Sequence, residues 1–309
     1  MTFVDQPEAL TGTPTGEAGI ADVHEAQPLG RDVLRRFRRN KLAMLGLAFI
    51  VLLILAAIFA PLITSYDPIH DRARGQYRDG PSAEHWLGTD TIGRDVFSRI
   101  VYGARISLRI GILATALSLL IGVTLGSIAG FFGGIIDSIV MRITDMFLAI
   151  PYIVLAIAIA TVVGRGKENT VILVLGLTGW LAIVRVVRAT FLGLKELEYV
   201  EAARALGFSR LRIMARHVLP NALQPVIVYG TIAIGGVILA EAALSFLGVG
   251  VFDPTPSWGL MIENGRRDLA NAPHMLFFPG LAVLLTVLAF VFVGDGLRDA
   301  LDPKLRGRE

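Results

Sequence analysis

The sequence predicts an all-α integral membrane protein with six transmembrane helices. Of its 309 residues, 54% are hydrophobic, and the mean hydropathy is +0.63. Soluble proteins average about 45–50% apolar residues, so this excess indicates a membrane protein only if it is clustered. It is clustered in six runs that lack Asp, Glu, Lys and Arg: Leu42–Tyr66, Ile110–Ile136, Met146–Gly164, Asn169–Val184, Val218–Ala240 and Leu269–Gly294.

Five of these runs are long enough to span a bilayer outright, because a transmembrane helix needs about 17–25 mostly apolar residues. The run Asn169–Val184 is slightly shorter, but Arg185 and Arg188 follow it directly. Long basic side chains reach the membrane interface from within a span, so this run is also expected to cross. A soluble protein of this length is not expected to contain six such apolar runs.

Basic residues predict the orientation of the chain. A cluster of Arg and Lys between Arg31 and Lys41 directly precedes the first run. Such a cluster can bind nucleic acid or lipid headgroups, but its position favours a cytoplasmic anchor under the positive-inside rule. Lys and Arg are also more numerous in loops 31–41, 133–145, 185–217 and 296–309 than in loops 64–109, 165–169 and 253–271. Both termini are therefore predicted to be cytoplasmic.

The chain divides into four predicted parts. Residues 1–30 are acidic and turn-rich, lack the apolar core of a signal peptide, and predict a disordered cytoplasmic tail. Residues 31–104 contain the basic anchor, the first span and an external segment. Residues 105–300 form the membrane core, whose second span is expected to begin with a helix over 99–109. Residues 301–309 form a short cytoplasmic tail.

Four glycines recur at intervals of four residues in or next to the second span: Gly122, Gly126, Gly130 and Gly134. In water such glycines weaken a helix. In lipid they let two helix backbones approach closely, as in other contacts built from small residues. Their register predicts a tight helix contact, within this chain or with a partner subunit.

The segment between the fourth and fifth spans, residues 197–220, is too charged to cross a membrane and lacks the turn residues of a linker. Residues 197–206 are predicted to form a short helix with Gly207 as its C-terminal cap. Ser209 is the candidate N-cap of a second helix, which Pro220 is predicted to end. The apolar face of that helix would contain Leu211, Met214 and Val218. Two such amphipathic helices either lie on the lipid surface or dock into a groove on a soluble partner.

This segment resembles the EAA loop of ABC importer permeases. Glu201-Ala202-Ala203, Gly207 and Leu219-Pro220 match the pattern of that loop, whereas His217 replaces its usual apolar residue. In that family the loop is the coupling helix that docks on the nucleotide-binding subunit. The resemblance therefore implies an ATPase-coupling role for Glu201, Ala202, Ala203, Gly207, Phe208, Arg210, Arg212, Arg216, Leu219 and Pro220.

Further segments resemble the C-type permease subunit of dipeptide and oligopeptide importers. These are Trp86–Asp90, Gly93–Asp95, Gly103–Arg105, Pro254–Gly259 and Gly294–Pro303. Two interpretations of the external block remain open: it docks the solute-binding protein or seals the outer mouth, or it is a loop packed only on its own subunit. Its candidate residues are Trp86, Gly88, Asp90, Arg94 and Asp95.

The resemblance implies a type I ABC importer permease fold, with residues 105–300 as the permease core and 197–220 as its coupling loop. It also implies a second homologous permease subunit, two cytoplasmic ATP-binding subunits and an external solute-binding protein. ATP and Mg²⁺ would be bound by the ATP-binding subunits, and this chain would bind no cofactor and no nucleic acid. Dipeptides or oligopeptides are the expected substrate; nickel and glutathione are the alternatives within the family.

The sequence offers little support for an enzyme. It contains no Gly-x-x-x-x-Gly-Lys-Ser/Thr phosphate loop, no Gly-x-Ser-x-Gly elbow and no His-Glu-x-x-His zinc motif. It has no cysteine, which excludes disulfides and thiolate metal sites. No metal-ligating residues are predicted, and ATP hydrolysis is expected to come from a separate chain.

A secondary transporter or a channel remains an alternative in another class. Secondary transporters usually show repeated halves and interrupted helices, and no convincing repeat relates the first three spans to the last three. Pro151 and Pro279 are candidates for a helix break, although packing within an unbroken helix is the more common role. Glu241 either faces a pathway or partner helix, or lies near the external interface.

Overall fold

A computed structural model describes residues 29–301; the tails predicted for residues 1–30 and 301–309 fall almost entirely outside this range. The described residues form twelve α-helices and one π-helical turn, connected by loops. The helices are α1 (Leu29–Arg39), α2 (Lys41–Ile58), α3 (Ala60–Ile63), α4 (Val96–Phe132), α5 (Gly134–Leu148), α6 (Tyr152–Val163), α7 (Glu168–Leu194), α8 (Glu198–Ala205), α9 (Arg210–Ile213), α10 (Leu219–Phe246), α11 (Trp258–Arg267) and α12 (His274–Leu301), with the π turn at Met214–Val218.

Within residues 29–301, five helices are long and apolar enough to cross a membrane, and the one remaining predicted span, the third along the chain, is broken. The run Met146–Gly164 does not form one helix, because α5 and α6 meet at Pro151 with a bend of 91°. Proline has no amide hydrogen to donate and disfavours the helical conformation in the residue before it. Pro279 has no such effect, since α12 continues through it.

The second span is much longer than its apolar run. α4 has 37 residues, about 55 Å at 1.5 Å per residue, and therefore extends well beyond a hydrocarbon core of about 30 Å. It begins at the cap residue Asp95, whose carboxylate accepts a hydrogen bond from Ser98 N at 2.7 Å. The helix predicted over 99–109 is thus the first part of this single element.

Three of the four spaced glycines lie where α4 packs against α7. A Cβ atom added to Gly122, Gly126 or Gly130 would come within 2.6–2.8 Å of side chains or carbonyl groups of α7. The contact is therefore within this chain. The prediction for Gly134 was wrong, because α4 ends before it and α5 begins there; Gly134 has φ +58, and an added Cβ would meet nothing within 4 Å.

The N-terminal span is attached to the rest of the bundle through α12 and α4. An added Cβ on Gly46 would lie 2.7 Å from the carbonyl oxygen of Ala289. Arg105 of α4 donates hydrogen bonds to the carbonyl groups of Ala57 and Ile58 at the end of α2. These contacts satisfy carbonyl groups that the helix terminus leaves without an intrahelical partner.

Loops gather at the two ends of this bundle. At one end, loop 64–95 contacts the segment 249–273, as in the 2.8 Å ion pair of Arg94 with Asp253. The segment 197–220 lies at the opposite end of α10 from residues 249–273. Each end therefore contains one of the two segments that the sequence marks as functional.

Candidate functional site

The first candidate site is the EAA loop, here residues 197–220. Its first helix, α8, ends in a Schellman motif, in which Gly207 N donates to Arg204 O at 2.9 Å and Phe208 N donates to Ala203 O at 3.2 Å. Gly207 has φ +78, which side-chain-bearing residues rarely adopt. This is the predicted C-terminal cap, and it turns the chain sharply between α8 and α9.

The second helix of the loop is continuous with a transmembrane span. α9, the π turn and α10 form one helix over Arg210–Phe246, 37 residues or about 55 Å long. The prediction that Pro220 ends a helix was wrong: Leu219 N donates to Met214 O across the wider π turn, and Pro220 lies in the first turn of α10, where a missing N–H is tolerated. Ser209 occupies the N-cap position, but its side chain makes no capping hydrogen bond.

One face of the EAA loop is anchored to the bundle. Val200, Ala203, Ile213 and Val218 are buried in a cluster that includes Phe191 of α7. These apolar contacts fix α8 and α9 against the ends of α7 and α10. The loop is therefore held as a rigid projection.

The opposite face is exposed and includes large apolar side chains. Leu206, Leu211 and Phe208 are 75%, 64% and 37% exposed, respectively. The predicted apolar face of Leu211, Met214 and Val218 is divided, because Leu211 is exposed whereas Val218 is buried together with Ile213. The exposed face also contains Glu201, Ala202, Arg210, Arg212 and Arg216. Leu219 is partly buried and Pro220 exposed.

His217, which replaces an apolar residue of the family pattern, takes part in a stack of side chains. Its ring is stacked on Phe208 with centroids 5.9 Å apart, and the guanidinium of Arg212 lies 5.7 Å from the centre of the Phe208 ring. The imidazole thus supplies a packing surface for the residue that follows Gly207. The stack links α9 and the π turn to the end of α8.

The second candidate site is the block Trp86–Asp95, most of which is buried. Arg94 Nε donates to Asp90 Oδ2 at 2.6 Å, and Arg94 NH1 donates to Asp253 Oδ1 at 2.8 Å. The buried Arg99 donates to Pro68 O at 2.9 Å and lies 3.5 Å from Asp253. Partial burial alone would raise the pKa of Asp253, but the hydrogen bond and charge of Arg94, with the charge of Arg99, hold that pKa below its ordinary value.

The other residues of this block also have contacts within the chain. Asp95 caps α4 and lies 2.9 Å from Nδ1 of the buried His85. Gly88 has φ +81, and a Cβ there would lie 2.4 Å from Asp79 O and 2.7 Å from the His274 ring. Trp86 differs, because it is 63% exposed while its ring lies 5.2 Å from Phe97. These contacts favour the packed-loop interpretation for every candidate except Trp86.

The side chain of Glu241 is enclosed by the chain itself, at the end of α10 that lies away from the EAA loop. It is fully buried near the end of α10, and its Oε1 accepts hydrogen bonds from Ser245 Oγ at 2.9 Å and Ser257 Oγ at 3.0 Å. Sequence reasoning missed Ser257, because nothing in the spacing of the two residues indicates that a loop residue reaches into the bundle.

A cavity of about 490 Å³ opens beside the break between α5 and α6. Its walls come from α4, α7 and α10 as well as from the break itself. Its described lining residues carry no charge, and they include the hydroxyl groups of Ser118, Tyr152, Thr178 and Tyr229. The predicted spans give no sign of it, because the bend at Pro151 creates the space.

Comparison with known proteins identifies the family. The profile of the binding-protein-dependent transport system inner membrane component matches residues 122–307, and the N-terminal transmembrane domain of oligopeptide transport permease C matches residues 28–81. The chain belongs to this family of inner-membrane permeases. Both matches agree with the predicted C-type resemblance.

Relatives match nearly the whole chain. The dipeptide permease DppC of Alkalihalophilus pseudofirmus is 45% identical over 92% of this chain and 93% of its own length. The oligopeptide permease OppC of Bacillus subtilis is 46% identical over 97% of this chain and 98% of its own length. The glutathione permease GsiD of Escherichia coli O157:H7 is 46% identical over 88% of this chain and 90% of its own length.

Two solved structures of the MetNI methionine ABC transporter, in inward-facing conformations, share the fold. One covers 66% of this permease and 97% of the matched chain, with a TM-score of 0.55 and 23% identity. The other covers 67% of this permease and 98% of the matched chain, with a TM-score of 0.51 and 25% identity. The permease therefore has the type I ABC importer fold that the sequence predicts.

Proposed function

We propose that this permease is one of two transmembrane subunits of an ATP-driven importer for dipeptides or oligopeptides. The sequence relatives named for dipeptide and oligopeptide transport support this substrate class. A glutathione permease is equally similar. Glutathione is itself a small peptide, so these relatives agree on the chemical class while differing in the individual solute.

A single observation carries the proposed mechanism: the exposed EAA loop is built onto a transmembrane helix. The helix Arg210–Phe246 runs without interruption from the loop through the membrane span. A displacement applied to α8 and α9 must therefore move α10, because the buried contacts of Val200 and Ile213 hold the loop against the bundle. Such a helix can transmit force from outside the bilayer to the transport pathway.

The exposed face of the loop fits a groove on an ATP-binding subunit. Leu206 and Leu211 supply apolar contact area, and Arg210 and Arg212 supply positive charge beside it. Interfaces of this kind have an apolar centre and a polar rim. Two ATP-binding subunits would bind ATP and Mg²⁺, whereas this chain would bind neither and catalyse no reaction itself.

The proposed orientation places the EAA loop and both termini in the cytoplasm. The basic helix α1 directly precedes the first span, as expected for a cytoplasmic anchor. Loop 64–95 and α11 then face outward, where a solute-binding protein would dock. The second permease subunit would complete the pathway, and the uncharged cavity beside Pro151 is a candidate for part of its wall.

The test is reconstitution of this subunit and its sister permease in vesicles, with and without the ATP-binding subunits. Uptake of a labelled dipeptide, pentapeptide or glutathione is measured with solute-loaded binding protein outside and ATP inside. We expect uptake only with both ATP and the ATP-binding subunits. Uptake driven by an ion gradient without them would overturn the proposal in favour of a secondary transporter.

A further inference from the structure

The outer end of α10 contains a buried carboxyl group, that of Glu241, which the helix does not need in order to span the membrane. Glu241 lies within two turns of Phe246, the last residue of the helix that begins at the EAA loop. Its side chain is fully buried. Burial of a carboxyl group costs free energy unless hydrogen bonds compensate for it, so an acidic residue in this position indicates a specific role.

The hydrogen bonds of Glu241 join two different elements. Ser245, one turn further along the same helix, donates to Glu241 Oε1 at 2.9 Å. Ser257, the N-cap residue of α11, donates to the same oxygen at 3.0 Å. The hydroxyl group of Ser257 also accepts a hydrogen bond from Leu260 N at 3.2 Å, which fixes its position at the start of α11.

α11 is held closely between α10 and α4. A Cβ atom on Gly259 would lie 2.8 Å from Cα of Ala242 in α10. On the α4 side, Trp258 N donates to Ser107 Oγ at 3.2 Å, and the Trp258 indole donates to Ile100 O at 3.0 Å. The bond from Glu241 is thus part of a closely packed contact in which small displacements are costly.

The segment between α10 and α11 extends this contact to loop 64–95. Asp253 lies in that segment and pairs with Arg94, which in turn pairs with the buried Asp90. The hydrogen bond of Ser257, the backbone that joins Ser257 to Asp253, and the ion pairs of Arg94 therefore connect α10 to the loop that faces the opposite side of the membrane from the EAA loop.

We infer that Glu241 is the positioning residue through which α11 and segment 249–257 follow the movement of α10. This inference rests on the proposed function, because it assigns to Glu241 the connection between the ATPase-driven helix and the outer, binding-protein side. Glu241 acts through Ser257 and contacts no substrate. The bond to Ser257 transmits the movement, whereas the bond to Ser245 stays within one helix.

Two substitutions separate these bonds. Glu241→Met removes the acceptor at similar volume and leaves the N-cap bond from Leu260 N to Ser257 intact. Glu241→Gln keeps an acceptor oxygen and is the conservative rescue. Ser245→Ala is the matched control, since it removes only the bond within α10.

The assay is ATP hydrolysis by the complete complex in lipid nanodiscs, with and without solute-loaded binding protein. In Glu241→Met we expect assembly and basal hydrolysis to stay at the wild-type level, while stimulation by the binding protein falls roughly tenfold, within the usual range of coupling between sites. Glu241→Gln and Ser245→Ala should retain stimulation. Wild-type stimulation in Glu241→Met, or loss of its assembly and basal hydrolysis, would overturn the inference.

A distance measurement tests the same role directly. The chain has no cysteine, so spin labels can be attached to Leu239→Cys on α10 and Leu269→Cys after α11 in the purified subunit, before it is assembled with its partners, without background labelling of this chain. Both side chains are exposed. The label distance should stay constant between nucleotide states in the wild type and should change or broaden in Glu241→Met. An unchanged distribution in Glu241→Met would also overturn the inference. Absence of stimulation in the wild-type complex would instead refute the proposed function itself.

Discussion

Loop 64–95 and the EAA loop were both marked by family motifs, yet they differ in where their contacts are made. In loop 64–95, the charged groups of Asp90, Arg94 and Asp95 are buried and paired within the chain. In the EAA loop, by contrast, charged side chains such as Arg210 and apolar side chains such as Leu206, which is 75% exposed, face outward. A motif therefore indicates that a segment matters, whereas burial indicates whether it matters for folding or for a partner.

This difference predicts opposite consequences of substitution. Changes in loop 64–95 should lower the stability of the subunit, because they remove contacts that the chain makes with itself. Changes on the exposed face of the EAA loop should leave stability unchanged and weaken transport or subunit association.

Arg94→Met should cause the largest loss of stability. Asp90 would lose its 2.6 Å partner and keep only the longer, 3.8 Å pairing with Arg99, and removal of one member of a buried pair typically costs about 3–5 kcal/mol. The midpoint of thermal unfolding in detergent measures the effect. The matched control is Arg72→Met, an exposed arginine in the same loop, which should change the free energy by less than about 0.5 kcal/mol. Equal midpoints for the two variants would contradict the structural role of this network.

Gly126→Ala should have the next largest effect. The added methyl group would meet Val184 O and Val187 Cβ at 2.8 Å, and overpacking of this kind costs about 1–3 kcal/mol. Gly193→Ala in α7 is the control, because nothing lies within 4 Å of its added Cβ and its φ is ordinary. There the better helix propensity of alanine should stabilise the subunit by roughly 0.5–1 kcal/mol. Shifts of the same sign in both variants would refute the tight contact between α4 and α7.

Gly207→Val should separate stability from transport. Gly207 at φ +78 and Gly75 at φ +80 both have open space around them, so valine should strain each backbone by roughly 1–2 kcal/mol. Only Gly207 positions the turn between α8 and α9. We expect similar modest losses of thermal stability in the two variants, with uptake abolished only in Gly207→Val. Gly207→Asn, which tolerates this conformation, should retain part of the uptake. Loss of uptake in both valine variants would contradict a coupling role for the turn.

The sequence predicts the elements of this fold that depend on local properties. Charge-free runs indicate the spans, because the bilayer core excludes charge, and the position of Gly207 indicates a helix cap. Contacts between residues that are far apart in the chain cannot be predicted from such local patterns, and Arg94 and Asp253, which form an ion pair, are separated by 159 positions. Pro151 and Pro220 illustrate the same limit. Both prolines lie beside apolar runs of the sequence, but Pro151 separates two helices, whereas Pro220 lies inside a continuous helix whose preceding π turn accommodates it.

Leu206→Ser should have the smallest effect on the stability of the isolated subunit and a clear effect on its association. The side chain is already exposed, so its loss removes almost no buried area within the chain. If an ATP-binding subunit covers it, the lost burial is worth about 1.5–3 kcal/mol, which corresponds to roughly 10- to 150-fold weaker binding. Titration of the purified ATP-binding subunit onto the permease pair measures this. Leu269→Ser, which changes a leucine that is 52% exposed, against 75% for Leu206, at the other end of the bundle, is the control and should bind normally. Because both leucines are exposed and they lie at opposite ends of the bundle, equal binding by both variants would show that the exposed face of the EAA loop is not where the ATP-binding subunit docks.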